Sequence, residues 1–177
     1  MSILHAGLGM TPAQMAEGTT APIAWPDLLA SRMGRGRGFA QPQGLHQLRL
    51  RVAPGMSITL PPGLMSVVDF LAGRAHRIVS TLVARYVSPE KAIAIAHDVT
   101  RQLVTAGLAE EPLDDSRDPR VILEAHARVR VASLVRDQLG AHVEVRRVMR
   151  AEDRLATLLR LPHDACLVTL DHFVVTP

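Results

Sequence analysis

Hydrophobic positions along this chain fall into two periods. Between 48 and 52 they alternate. Leu48, Leu50 and Val52 lie on one side of an extended segment and Arg49 and Arg51 on the other, the pattern of a half-buried strand. Ala53-Pro54-Gly55 breaks the run as a turn, and Ser57-Ile58-Thr59-Leu60 follows as a second short strand, so this part predicts a hairpin closed by Pro61-Pro62-Gly63. From Leu64 the spacing lengthens to three and four. Leu64, Val67, Val68 and Leu71 predict a helix over 64–72 with Gly73 as its stop, and Ile78, Val79, Leu82 and Val83 predict another over 75–86. A third helix has the clearest start, with Ser88 as N-cap, Pro89 at N1 and Glu90 in the first turn. Ala92, Ala96, Val99, Leu103 and Ala106 form its stripe, Gly107 suits the position after its end, and Leu108 the hydrophobic contact that follows.

The remaining pattern is more broken. Residues 112–119, PLDDSRDP, are acidic and turn-forming and suit the tip of a wing. Alternation over 123–131 predicts a half-exposed strand, with Glu124, His126, Arg128 and Arg130 outward. A short helix is expected over 132–139, stopped by Gly140, then a strand over 142–148, a helix over 152–160 on Leu155, Leu158 and Leu159, and a final apolar strand over 166–175. Ahead of all this, 1–44 show no sustained period and many glycines and prolines, and read as a flexible basic arm. Thr11-Pro12-Ala13-Gln14 could cap a short helix there, and 25–29 could start another. Arg35-Gly36-Arg37-Gly38 reads as a solvated linker or as a contact for phosphate or an acidic partner. The expected fold class is therefore α+β: a flexible arm (1–44), a winged-helix module of a hairpin and three helices (45–119), and a small β-α-β-α-β domain (120–177).

Composition narrows the function classes. Apolar residues make up 47% of the 177 and aromatics 3%, so the core must be built from Leu, Val, Ile, Ala and Met, and base stacking of the kind single-strand binders use is not expected. No apolar run approaches a membrane span, and the N-terminus has no basic residue before its apolar ones, so a cytoplasmic protein that avoids membranes is expected. The single cysteine, Cys166, fits a reducing compartment. Net charge is +3, and of the 20 basic residues only Lys91 is lysine. Arginine at that excess suits phosphate contact, and equally the codon bias of a GC-rich genome.

The order of hairpin, three predicted helices and Gly107-Leu108 resembles the PqqD-like family, winged-helix modules that recognise the leader segment of ribosomally made peptides. The likeness covers 45–111. It is carried by Val68-Asp69-Phe70-Leu71-Ala72-Gly73-Arg74, by Ile78-Val79-Ser80-Thr81-Leu82-Val83-Ala84-Arg85-Tyr86, and by His97-Asp98-Val99 with Ala106-Gly107-Leu108. Ala72 stands where the family usually has Asp, and two strands are found where it has three. The resemblance implies a non-catalytic protein that binds a peptide by strand addition and presents it to a peptide-modifying enzyme. The implied edge strand is Ser57, Ile58, Thr59 and Leu60. The implied groove wall is Ile95, Asp98, Arg101, Gln102 and Thr105, with Arg101 placed to meet an acidic leader. Each of these also reads as an ordinary solvated helix or strand position. Separately, 143–175 is similar to part of the effector domain of GntR-type regulators, although Leu159-Arg160-Leu161 lacks the glycine usual there.

A transcription regulator that binds DNA through the same helix is the alternative, but Lys91, Arg101 and Gln102 are set against Glu90 and Asp98, and Asp114, Asp115 and Asp118 make the wing acidic. A third reading is a structural subunit of an assembly. No cofactor or metal is expected. His163, Asp164, Cys166, Asp171 and His172 cluster in sequence, but His163-x-x-Cys166 has no second pair, and Asp171 and His172 should point to opposite faces of a strand. No G-x-S-x-G or HExxH motif supports a hydrolase, so no catalytic residue is expected.

Overall fold

Residues 66–81, whose apolar spacing fits helix and strand alike, fold as a hairpin. The computed structural model describes residues 1–27, 36–148 and 164–175. Its strands are β1 (Ser2–Gly7), β2 (Gly38–Ala40), β3 (His46–Ala53), β4 (Met56–Gly63), β5 (Ser66–Leu71), β6 (Arg74–Thr81), β7 (Ala109–Glu111), β8 (Arg128–Arg136), β9 (Leu139–Arg147) and β10 (Cys166–Val174). Its helices are α1 (Pro12–Ala16), α2 (Pro89–Thr105) and α3 (Pro119–Ala125). The strands form a three-stranded sheet, β1-β3-β4, and a seven-stranded sheet in the order β2-β5-β6-β10-β9-β8-β7.

This overturns the winged-helix fold. The helices expected over 64–72 and 75–86 are β5 and β6. β-branched Val67, Val68, Ile78 and Val79 favour the pleated surface, and burial follows the period of two: Ser66, Val68 and Phe70 are buried while Val67 and Asp69 are half-buried. Gly73, expected as a helix stop, is half of a tight turn. Leu71 pairs with Arg74, and the two residues between them, Ala72 and Gly73, both have positive φ (51° and 77°), the geometry of a hairpin whose twist matches its strands. The helix expected over 132–139 is the end of β8 and its turn into β9, with Asp137 at φ 53°. The strand expected over 123–131 starts one element late. Asp118 caps α3 by accepting from the Arg120 N–H, Pro119 occupies the first turn, and the extended run begins only at Arg128.

Other expectations have counterparts. The 46–60 hairpin is β3–β4, and α2 starts at Ser88, whose hydroxyl accepts from the Lys91 N–H. Its end is a Schellman motif, with Gly107 donating to the Val104 carbonyl and Leu108 to that of Leu103. The Thr11/Gln14 capping box starts α1. β1, in the stretch expected to be a flexible arm, pairs in parallel with β3, and its Leu4 and Ala6 are buried. The large sheet takes β2, β5, β6 and β7 from before residue 119 and β8, β9 and β10 from after it. The helix expected over 152–160 and the expectations on 28–35 lie outside the described residues.

Among the described residues, one face of the large sheet is the buried one and the other is half-exposed. Across the buried face run rows such as Val129–Val145–Val168 and Leu134–Ala141–His172–Ile78–Val68. Ala92, Ala96, Val99 and Leu103 of α2 are buried where α2 packs over β8, β9 and β10. The small sheet is joined beside it by hydrogen bonds of Gly9 and Met10 to Ala75 and of Met65 to Thr81. At that join lies a buried polar file. His46 donates through Nδ1 to the Gly44 carbonyl (2.8 Å), so its Nε2 accepts from the Ser66 hydroxyl (2.7 Å), and Ser80 in turn donates to Ser66 (2.6 Å). Each of the three side chains thereby finds a partner. Beside the file β4 and β6 approach so closely that a Cβ on Gly63 would run into the Thr81 carbonyl oxygen.

Ser66→Ala should therefore cost about 1–3 kcal/mol in denaturant unfolding, because it leaves the buried His46 Nε2 without a donor. Ser57→Ala, on the exposed side of β4, should change stability by less than about 0.5 kcal/mol. Equal effects of the two would show that the file contributes nothing.

His172 adds a pH dependence. It is wholly buried, with Nδ1 donating to the Gly140 carbonyl (2.9 Å) and Nε2 unpaired among the described residues. Burial, partly offset by the Gly140 carbonyl and Asp171, holds its pKa below the ordinary 6.5. Well above 6.5 the ring is neutral in both states. As pH falls below that, the unfolded chain takes up the proton first, so stability is full well above 6.5 and is lost as pH drops toward the folded value. Unfolding free energy should therefore fall as pH drops below about 7, and His172→Gln should flatten the slope. An unchanged slope in that variant would show that another group carries it.

Candidate peptide-binding groove

β4 hydrogen-bonds to β3 on one side and, among the described residues, to no strand on the other. The edges of the large sheet are blunted by strands of three residues, β2 and β7, whereas β4 runs for eight. Its far half carries Pro61 and Pro62. Successive residues of a strand direct their N–H groups to opposite edges, so one of these prolines removes a donor from the free side. The stretch left able to pair with another chain is 56–60.

Opposite this edge stands α2. Its buried face is turned to the sheet, which leaves Asp98, Arg101 and Thr105 exposed and Gln102 half-buried. Asp98 accepts from Arg101 (2.9 Å) and from Gln102 (3.0 Å), an i,i+3 and i,i+4 pair that holds both side chains along one flank of the helix. Between the flank and β4 lies an open groove of about 370 Å3 lined by Ile58, Thr59, Arg101, Gln102 and Thr105. Ile58 and Ile95 are partly buried and packed against the core.

The structure thus brings Ile58, Thr59, Arg101, Gln102 and Thr105 together at one groove. Asp98 acts behind it, through Arg101 and Gln102. Ser57 is exposed in register with Arg51, and the Leu60 side chain is buried in the core. Ile95 does not line the groove. Two residues that sequence reasoning passed over, Arg49 and Arg51, lie beside it on the outer face of the small sheet, in register with Thr59 and Ser57. Their alternation with Leu48, Leu50 and Val52 was the only signal available.

Other polar groups are tied up internally. A separate depression of about 460 Å3 is lined by Arg128, Arg130 and Glu144 together with Ile122 and the 112–115 segment, but both arginines donate to that one glutamate and Ser133 donates to Glu111. His46 and Ser66 have the reach of a base and a nucleophile, yet each is at most 1% exposed and the ring is oriented by a backbone carbonyl, an arrangement of a packed join. Asp171 pairs bidentately with Arg77 (2.9 and 2.8 Å) on the half-exposed face, while His172 points inward. Burial raises the Cys166 thiol pKa, the opposite of what a reactive thiolate needs. Among the described residues no group of three His, Cys, Asp or Glu side chains could hold a metal ion; His163 lies outside them. No helix among the described residues is long and apolar enough to cross a membrane. Comparison with family models, curated proteins and solved structures finds no match to this chain.

Proposed function

We propose that this chain is a non-catalytic binding module that takes an extended peptide segment as an added strand on β4, with α2 as the opposite wall, and holds it for a cytoplasmic partner enzyme that modifies the peptide. The observation that carries the reading is the pairing of a free strand edge with an adjoining groove. Main-chain hydrogen bonds at such an edge supply affinity, and a side-chain groove beside it supplies selectivity. Strand addition does not require a winged helix. It needs only the edge and the helix flank, both of which the mixed two-sheet fold provides. DNA recognition through a winged helix has no such support, because the two helices expected ahead of α2 are the strands β5 and β6.

The test is a titration of the full chain against peptides selected from a displayed random library, with duplex DNA alongside, at two salt concentrations. Peptide binding should be saturable, and Ile58→Pro should weaken it by roughly tenfold or more, because proline removes a strand donor and restricts the backbone. Unchanged peptide affinity in an Ile58→Pro protein that still unfolds cooperatively would sink the edge. Steeply salt-dependent DNA binding without peptide binding would sink the whole reading.

A further inference from the structure

On the outer face of the small sheet, His5, Arg49 and Thr59 stand in register across β1, β3 and β4, with Arg51 and Ser57 paired one step along. Arg49 is exposed and Arg51 half-buried, and neither forms an ion pair among the described residues. The ring of His5 reports the local field. Burial first, then Arg49 and Arg51, hold its pKa below the ordinary value, and no carboxylate figures among the causes. Among the described residues, then, neither arginine of this face is neutralised by an ion pair, although Asp137 lines the same depression as Arg51. By contrast, Arg128, Arg130, Arg77 and Arg117 are each paired with a carboxylate.

The two arginines are spaced at i and i+2 on β3, and between them and the free edge stand only the short side chains of Ser57 and Thr59. A strand added to β4 would lie about 4.8 Å beyond it. Long arginine stems can extend over a serine or threonine toward such a strand, since diagonal neighbours in a sheet are within reach of long side chains. Residues of the added strand opposite Ser57 and Thr59 face outward, toward Arg51 and Arg49. The residue opposite Ile58 faces the other way, toward the apolar side.

We propose that the segment held at β4 is an acidic peptide of alternating pattern, with carboxylate side chains two residues apart facing Arg49 and Arg51 and apolar side chains between them directed with Ile58 toward the core. This rests on the strand-addition reading above. Arg101, on the opposite wall, adds a third positive group, tempered by its bond to Asp98.

The test uses a labelled peptide of alternating glutamate and valine, the same peptide with glutamine for glutamate, a glutamate form N-methylated on alternate amides in each of the two phases, and a single-stranded oligonucleotide as competitor. The glutamate peptide should bind roughly tenfold or more tightly than the glutamine peptide at low salt. The gap should close in an Arg49→Gln/Arg51→Gln protein, whose changes are on the outer face and should leave thermal unfolding intact. N-methylation in one phase should abolish binding. Equal affinity for the glutamate and glutamine peptides, with N-methylation still abolishing binding, would overturn the acidic pattern and leave strand addition standing. Binding indifferent to N-methylation in both phases would overturn strand addition, and the proposal with it. Displacement of the peptide by the oligonucleotide at lower concentration than by unlabelled peptide would overturn the acidic peptide in favour of nucleic acid.

Discussion

The join between the two sheets sets where everything else sits. His46 from β3, Ser66 from β5 and Ser80 from β6 form a hydrogen-bonded file with no exposed member. Polar groups so deep are tolerated only when each finds a partner, and one register of the small sheet on the large one supplies those partners. Gly63 enforces the same register sterically, since no side chain fits between it and the Thr81 carbonyl. Apolar packing of Leu48, Leu50 and Leu60 supplies much of the favourable free energy of this region, but it is forgiving of small slips. Hydrogen bonds and a glycine contact are not.

Position at the join then creates the groove. With β4 locked beside the large sheet, its outer edge faces the flank of α2, which packs on the same sheet over β8, β9 and β10. The two ends of the large sheet are short and so offer little to another strand, whereas β4 offers a longer edge that Pro61 and Pro62 truncate at one end. Exposed edges of this length invite unwanted pairing, and the positive outer face and the prolines both restrict what can add there. A restricted edge is what a selective strand-binding site requires.

How far this was legible in the sequence depended on the kind of signal. Capping residues are read from side-chain chemistry that is local, so Ser88, Thr11 and Gly107 mark their helices correctly. The alternation at 48–52 and the proline-glycine turn mark the β3–β4 hairpin for the same reason. Residues 64–86 carry apolar side chains at positions that satisfy both the helical and the strand period, and only pairing with β10 decides between them. β1 was missed because Leu4 and Ala6 alternate over too few residues, and its strand character comes from a parallel partner more than forty positions away. The groove was partly readable. A winged-helix likeness points to Ile58, Thr59, Arg101, Gln102 and Thr105, and the mixed fold brings them together by a different route. Arg49 and Arg51 were visible as the polar side of a strand, but their relation to a free edge needs the order of the sheet.

The most direct measurement is the pattern of through-space proton contacts in a complex of isotope-labelled protein with an unlabelled bound peptide. The account predicts backbone-to-backbone contacts between the peptide and the 56–60 stretch of β4, in the spacing of an added strand, with side-chain contacts to Arg101 and Thr105 of α2. A bound peptide whose contacts fall on β1, on β7 or on the half-exposed face of the large sheet, and none on β4, would contradict it.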